Sequence, residues 1–118
     1  MPRHLYLYIA RLARMVPLPR ATPATADVLD ALLAQDEPVW GLRLVESTGR
    51  PAGSVYPILE RLERLGWVTS EWEDDPTRPG PRRRLYTFTP DGAAAAPAAI
   101  ARGRARAHVV SRPHGATV

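Results

Sequence analysis

Cysteine is absent from the 118 residues, which excludes disulfides, thiol catalysis, iron–sulfur clusters and zinc sites built on Cys. Lysine is absent too: all 16 basic residues are arginine, so a P-loop lysine, Schiff-base chemistry and a lysine general base are excluded. Phe occurs once, and Leu, Ile, Val and Phe together supply only 26 residues, close to the ~20% below which chains tend to stay disordered. A chain this short buries a modest fraction of its surface, so a thin core that gains burial by self-association is expected. No apolar run reaches the ~18–20 residues of a membrane span. The longest near the start, Leu5 to Ala10, lies between Arg3 and Arg11 with no cleavage pattern after it, so no signal peptide is expected. The expectation is a soluble cytoplasmic protein. His4, His108 and His114 lie near the two ends without metal spacing or a nucleophile partner. Neither a Ser-His-Asp set nor a carboxylate pair can be assembled, so no catalytic group, metal or cofactor is expected.

What is present is one domain's worth of chain with a net charge of +4. Acids offset the arginines over residues 1–91, and residues 92–118 carry four Arg and no acid. Bulk charge therefore points to no partner, and any nucleic-acid argument must come from pattern. Arginine in place of lysine, with abundant Ala, Pro and Gly, indicates a GC-rich bacterial genome.

Leu5, Tyr8, Ile9, Leu12, Met15 and Val16 recur at three- and four-residue spacing, which predicts an amphipathic helix ending at Pro17-Leu18-Pro19-Arg20. Its apolar face packs either on its own domain or across a dimer. Thr22-Pro23 reads as an N-cap and first helical position, opening a helix carried by Val28, Leu29, Leu32 and Leu33. A shorter helix follows from Val39 to Thr48, with Leu42, Val45 and Trp40 as its inward candidates and Gly49 as its left-handed cap. In the third, Val55, Ile58, Leu59, Leu62 and Leu65 form one stripe ended by Gly66, while Pro57 predicts a late or irregular start. Beyond Gly66 the period changes to two. Residues 67–73 and 83–89 predict a β-hairpin with a long arginine-bearing tip. Thr89-Pro90 then opens a last helix, expected to kink or break near Pro97 and to be poorly ordered beyond Arg106.

Three helices, a two-stranded hairpin and a further helix is the order of a winged helix-turn-helix: mainly α, a small wing, and flanking terminal helices. In that design the third helix fills a major groove and the hairpin straddles phosphates beside it. The expected division is 1–20 N-terminal helix and linker with a dimerisation role, 21–89 DNA-binding domain, 90–107 dimerisation helix and 108–118 disordered tail. Over residues 24–96 the stretches GSVYPILERLERLGWV and PRRRLYTFTPDG resemble the PadR-type transcriptional regulators. The resemblance implies a homodimer that binds double-stranded DNA at an inverted-repeat operator, acts as a repressor and is released by a small aromatic effector. It also implies that Ser54, Tyr56 and Pro57 belong to the recognition helix, with Arg61 its basic position one turn later. The wing matches in character only, since here it carries no lysine.

The candidate DNA contacts are Arg50, Ala52, Gly53, Ser54, Tyr56, Pro57 and Arg61 on and before the third helix, and Arg78, Arg82, Arg83 and Arg84 on the wing. Plainer readings stand beside them. Tyr56 can be an exposed aromatic. Arg61 and Arg64 have glutamate neighbours, and the sequence favours DNA for Arg61 and intrahelical pairing for Arg64. Glu71, Glu73, Asp74 and Asp75 can hold the wing arginines by cross-strand pairing. Trp40 and Trp72 are effector-pocket candidates, with core packing of Trp40, Trp67 and Trp72 the alternative. The other function class that fits is a winged-helix protein-interaction module without DNA binding.

Overall fold

A computed structural model of the chain describes residues 15–111, with side chains from 15 to 108. Most of the N-terminal helix expected from the sequence, the last seven residues of the expected tail, and His4 and His114 lie outside the described residues.

The Thr22 side chain accepts a hydrogen bond from the Thr25 N–H at 3.1 Å, and Pro23 occupies a position that needs no amide donor. This capped start opens α1 (Pro23–Leu33), which buries Val28, Leu29 and Leu32. Val39 and Trp40, assigned by the sequence to the second helix, instead form a strand, β1 (Val39–Trp40), paired antiparallel with Tyr86 and Leu85. Two residues carry no readable period, and only the distant partner strand makes them extended. α2 (Gly41–Thr48) follows and ends, as expected, at Gly49 with φ 70°. Leu44 is its buried side chain, whereas Leu42, expected inward, is exposed and Val45 is half-buried.

α3 (Ala52–Arg64) buries Val55, Leu59 and Leu62 completely. It starts early and includes Pro57: the Ser54 and Val55 amides already donate to the Pro51 carbonyl at 2.9 and 3.1 Å. Pro57 has no N–H for the carbonyl four residues back, that of Gly53, but both residues are exposed and water can serve that carbonyl. The hairpin is β2 (Val68–Trp72) and β3 (Arg84–Phe88), one residue shorter at each strand end than the sequence predicts. The sheet order is β1-β3-β2, antiparallel throughout, with Ser70 opposite Tyr86 and Trp72 opposite Arg84.

α4 (Pro90–Ser111) is capped by Thr89, whose hydroxyl accepts from the Gly92 N–H at 2.9 Å and donates to the Gly66 carbonyl at 2.8 Å. The break expected near Pro97 does not occur, and the helix continues past residue 107 to Ser111. Pro97 lies on the exposed side, while Ala96 and Ala99 are fully buried on the other. Packing along α1 offsets the one hydrogen bond that the proline cannot give. Gly103 makes this close approach possible: a Cβ there would lie 2.7 Å from both Ala26 Cβ and the Thr22 carbonyl oxygen.

Met15 and Val16, assigned by the sequence to the N-terminal helix, belong to an irregular strap. The Val16 N–H donates to the Leu65 carbonyl and the Val16 carbonyl accepts from the Trp67 indole, both at 2.8 Å, with Leu18 buried beside them. The whole is the expected winged helix-turn-helix: four described helices and a small three-stranded antiparallel sheet around one core of Val28, Leu29, Leu44, Val55, Leu59, Leu62, Trp67 and Val68.

Candidate nucleic-acid interface

Successive residues of a helix are about 100° apart. With Val55, Leu59 and Leu62 inward, the row opposite is Gly53, Pro57, Glu60 and Arg64, all exposed. Ser54 and Arg61 flank it on one side and Tyr56 and Glu63 on the other. Arg61 and Arg64 have no hydrogen-bond or ion-pair partner among the described residues. The intrahelical pairing expected for Arg64 does not form, because Glu63 turns to the wing. There its Oε1 accepts from the Ser70 hydroxyl at 2.8 Å and lies 3.6 Å from Arg84. Arg64 is therefore an outward cation that sequence reasoning assigned elsewhere; its place opposite Leu62 on the helical wheel was the available signal.

The N-terminus of α3 is open. Pro51 supplies no side-chain cap, Ala52 and Gly53 are exposed, and a Cβ on Gly53 would meet nothing within 4 Å. The uncapped amides and the positive end of the helix dipole face outward there. Tyr56, 37% exposed, is also a wedge: a Cβ on Gly41 would come within 2.8 Å of its ring, so it props α3 against the start of α2.

Arg50 points inward to Asp27, its Nε donating to Oδ2 at 2.7 Å. The same carboxylate accepts from Arg104 of α4, which also reaches Asp30 at 3.4 Å. Partial burial pushes the Asp27 carboxyl up, but the hydrogen bonds from Arg104 and Arg50 outweigh it and hold it below the usual 3.8. Arg50 is thus a brace between α1 and the segment leading into α3.

On the wing, strand pairing sorts the side chains by face, since paired residues share a face and neighbours alternate. Ser70, Trp72, Arg84 and Tyr86 lie on the face toward α3, and Trp40, Leu85 and Glu71 on the other. The Arg82 and Arg84 guanidiniums lie 5.9 and 5.2 Å from the Trp72 ring centre, whereas Arg83 covers Trp40 at 4.0 Å with its Nε buried and unpartnered. Arg82 is exposed, and besides the Trp72 ring it has a 3.5 Å contact to the Glu73 carbonyl. Arg78 closes the tip: it donates to the Glu73 carboxylate and to the carbonyls of Pro79, at 3.0 Å, and Pro81. Of the carboxylates that the sequence offered as wing partners, Glu73 takes Arg78, whereas Arg84 meets Glu63 of α3 instead.

Of the three tryptophans only Trp67 is core, at 2% exposure. Trp40 and Trp72 point to opposite faces of the sheet and share no pocket. A cleft of ≈ 210 Å³ between the end of α1, the sheet and the start of α4 is lined by Leu32, Val39, Tyr86, Phe88 and Ala93 among others, and neither tryptophan reaches it. Among the described residues no group of His, Asp and Glu could hold a metal ion, and no helix is long and apolar enough to cross a membrane.

Residues 28–98 match the sequence profile of the transcriptional regulator PadR-like family. No curated protein matches the chain. Among solved structures, the circadian clock associated protein Pex from Anabaena is 18% identical with a TM-score of 0.59, over 95% of this chain and 100% of that one. A MarR-family transcriptional regulator from Silicibacter pomeroyi is 21% identical with a TM-score of 0.57, over 81% of this chain and 60% of that one. A PadR-like transcription factor from Bacteroides fragilis is 22% identical with a TM-score of 0.51, over 75% and 88%. At these identities the structural likeness establishes the fold.

Proposed function

We propose a mode of DNA reading for this chain, which belongs to the PadR-like family of transcriptional regulators and is a DNA-binding regulator, not an enzyme. It is a bacterial cytoplasmic homodimer that binds an inverted-repeat operator, each copy placing α3 in a major groove and its wing along the backbone beside it. Ala52, Gly53, Ser54, Tyr56 and Pro57 meet the DNA at the open end of α3, and Arg61 and Arg64 meet it one to three turns further on. Arg82 and Arg84 supply the wing's phosphate contacts.

The observation that best supports this reading is how unequally the arginines are engaged. Arg50 and Arg104 are held by Asp27 and Arg78 by Glu73, whereas Arg61 and Arg64 on the outward side of α3 have no carboxylate among the described residues. Unpaired guanidiniums on an exposed helix can reach guanine edges or phosphates. A gel shift with the intergenic DNA upstream of the chain's own gene, against a random duplex of equal length, tests it. The wild type should prefer the intergenic DNA, and Arg61→Ala should narrow that preference by ~1–3 kcal/mol. Failure of the wild type to shift either duplex overturns the reading.

The chain acts as a repressor, so a reporter placed behind the bound DNA should fall on expression of the protein and recover with an effector; a rise would mark an activator. The seat for the effector is placed between two copies. Trp40 and Trp72 diverge, and the cleft of ≈ 210 Å³ is smaller than the ~300 Å³ at which ligand pockets usually begin. A flat aromatic compound bound between copies would release DNA by favouring another spacing of the two α3 helices.

A further inference from the structure

Trp72 is the most exposed large apolar side chain among the described residues, at 50%. It ends β2 just past the point where α3 covers the sheet: Ser70 and Tyr86, two residues back along the same face, are buried, and Glu63 of α3 holds the Ser70 hydroxyl. An isolated exposed apolar residue needs no explanation. This indole, however, lies under two guanidiniums on one side of a strand pair whose glutamates belong to the other side. Glu71 alternates to the back face, and Glu73, next along the strand from Trp72, is engaged by Arg78. Asp75 is turned into the tip, where its carboxylate accepts from the Thr77 amide and hydroxyl at 3.0 and 2.6 Å. Alternation thus puts Trp72, Arg82 and Arg84 together on the face beside α3, while Glu71 shares the back face with Trp40 and Arg83.

We propose that Trp72 adds a contact of its own to the wing, its indole packing on deoxyribose and base edges beside the groove that α3 enters, between the phosphates that Arg82 and Arg84 meet. The proposal rests on α3 being the recognition helix, because the contact continues that surface. An aromatic face suits the apolar surface of any sugar or base and so tolerates sequence. Arginine stacks on an aromatic ring while its N–H groups stay free for phosphate oxygens. The stack also limits the motion of these side chains before binding, so less conformational freedom is lost when DNA arrives. Arg84, braced by Glu63 at 3.6 Å, ties this contact to α3 itself.

Acrylamide quenching of tryptophan fluorescence tests the idea on the full chain, with a random 30-base-pair duplex and the upstream intergenic DNA as probes. Trp67 is buried and Trp40 is half-buried under Arg83, so Trp72→Phe should remove most of the quenchable signal. DNA should protect that signal in the wild type and leave the Trp72→Phe protein unchanged. Trp72→Ala should weaken both duplexes about ten-fold, with Trp72→Phe close to wild type. Since an apolar contact displaces no counterions, Trp72→Ala should keep the wild-type salt slope, and Arg82→Ala should lower it by ~0.9. Full binding of either duplex with Trp72 still quenched overturns this proposal and leaves the reading of α3 intact. Protection that appears with rising protein concentration and no DNA also overturns it, making the face a contact between copies. A wild type that binds neither duplex removes both.

Discussion

Asp27 shows how a single residue can matter through the arginines it restrains. Its carboxylate, 25% exposed, takes Arg50 from the segment leading into α3 and Arg104 from α4, so one side chain of α1 ties down a second helix and the approach to a third. Sequence reading placed Arg50 among the DNA contacts because its position before α3 was legible. Asp27, 23 residues away, was not, since only the fold brings the two together. The carboxyl titrates below 3.8, so its stabilising contribution is complete above that pH and is lost as the pH falls through the lower folded value. Asp27→Asn should cost about 1 kcal/mol at neutral pH, a drop of roughly 4 °C in melting temperature. That deficit should shrink as melting is repeated below pH 3.8; a deficit equal at pH 7 and pH 3 would mean that packing, not charge, carries the effect. The outward arginines teach a related lesson. Arg61 was legible as a candidate, while Arg64 was assigned to a glutamate neighbour because the wing residues that take Glu63 were not visible locally.

Among the elements, legibility followed length and period. α1 and α3 announce themselves by apolar spacing and by the Thr22 cap, and the hairpin by its change of period. β1 could not be read, because two residues become a strand only by pairing with β3. α4 was misjudged at Pro97, since local propensity does not register that Ala96, Ala99 and Gly103 are pressed against α1. The same contrast makes one substitution carry opposite signs at two helix positions. Alanine gains up to ~1 kcal/mol over glycine in a helix, and Gly53→Ala, with open space around it, should raise the melting temperature. At Gly103 the added methyl would meet Ala26 and the Thr22 backbone at 2.7 Å, and backbone cannot swing aside. Gly103→Ala should therefore lose ~1–3 kcal/mol through overpacking. Thermal unfolding of the two variants checks this, and a gain at both positions would mean that α4 does not press on α1 as closely as described.

For the whole molecule, the winged-helix order could be read from the chain, and the joining of two copies through the N-terminal segment and the last helix, expected from the sequence, is carried forward as a proposal. The structure refines where to look. α4 carries Ala94, Pro97, Ala98, Ala101 and Ala105 on its exposed side, residues small enough for a second helix to approach closely. The strap from Met15 to Leu18 belongs to the domain itself, through Val16 on Leu65 and Trp67. A truncation starting at Ala21 would therefore damage the core as well as any interface, and a chain beginning at Met15 is the cleaner instrument. On the proposal that the N-terminal segment and α4 share the interface, that chain should melt close to the full chain and dissociate more readily at low micromolar concentration in sedimentation. Ala101→Glu, which puts a charge on the outward side of α4, should give a folded monomer. Such a monomer keeps its α3 contacts but loses the gain from linking two half-sites, so its affinity for an inverted repeat should fall by ~100-fold or more while binding to a single half-site stays the same. If all three chains sediment as dimers, neither surface joins the copies and the spacing of the two α3 helices must be set by another face; a full chain that sediments as a monomer overturns the dimer itself.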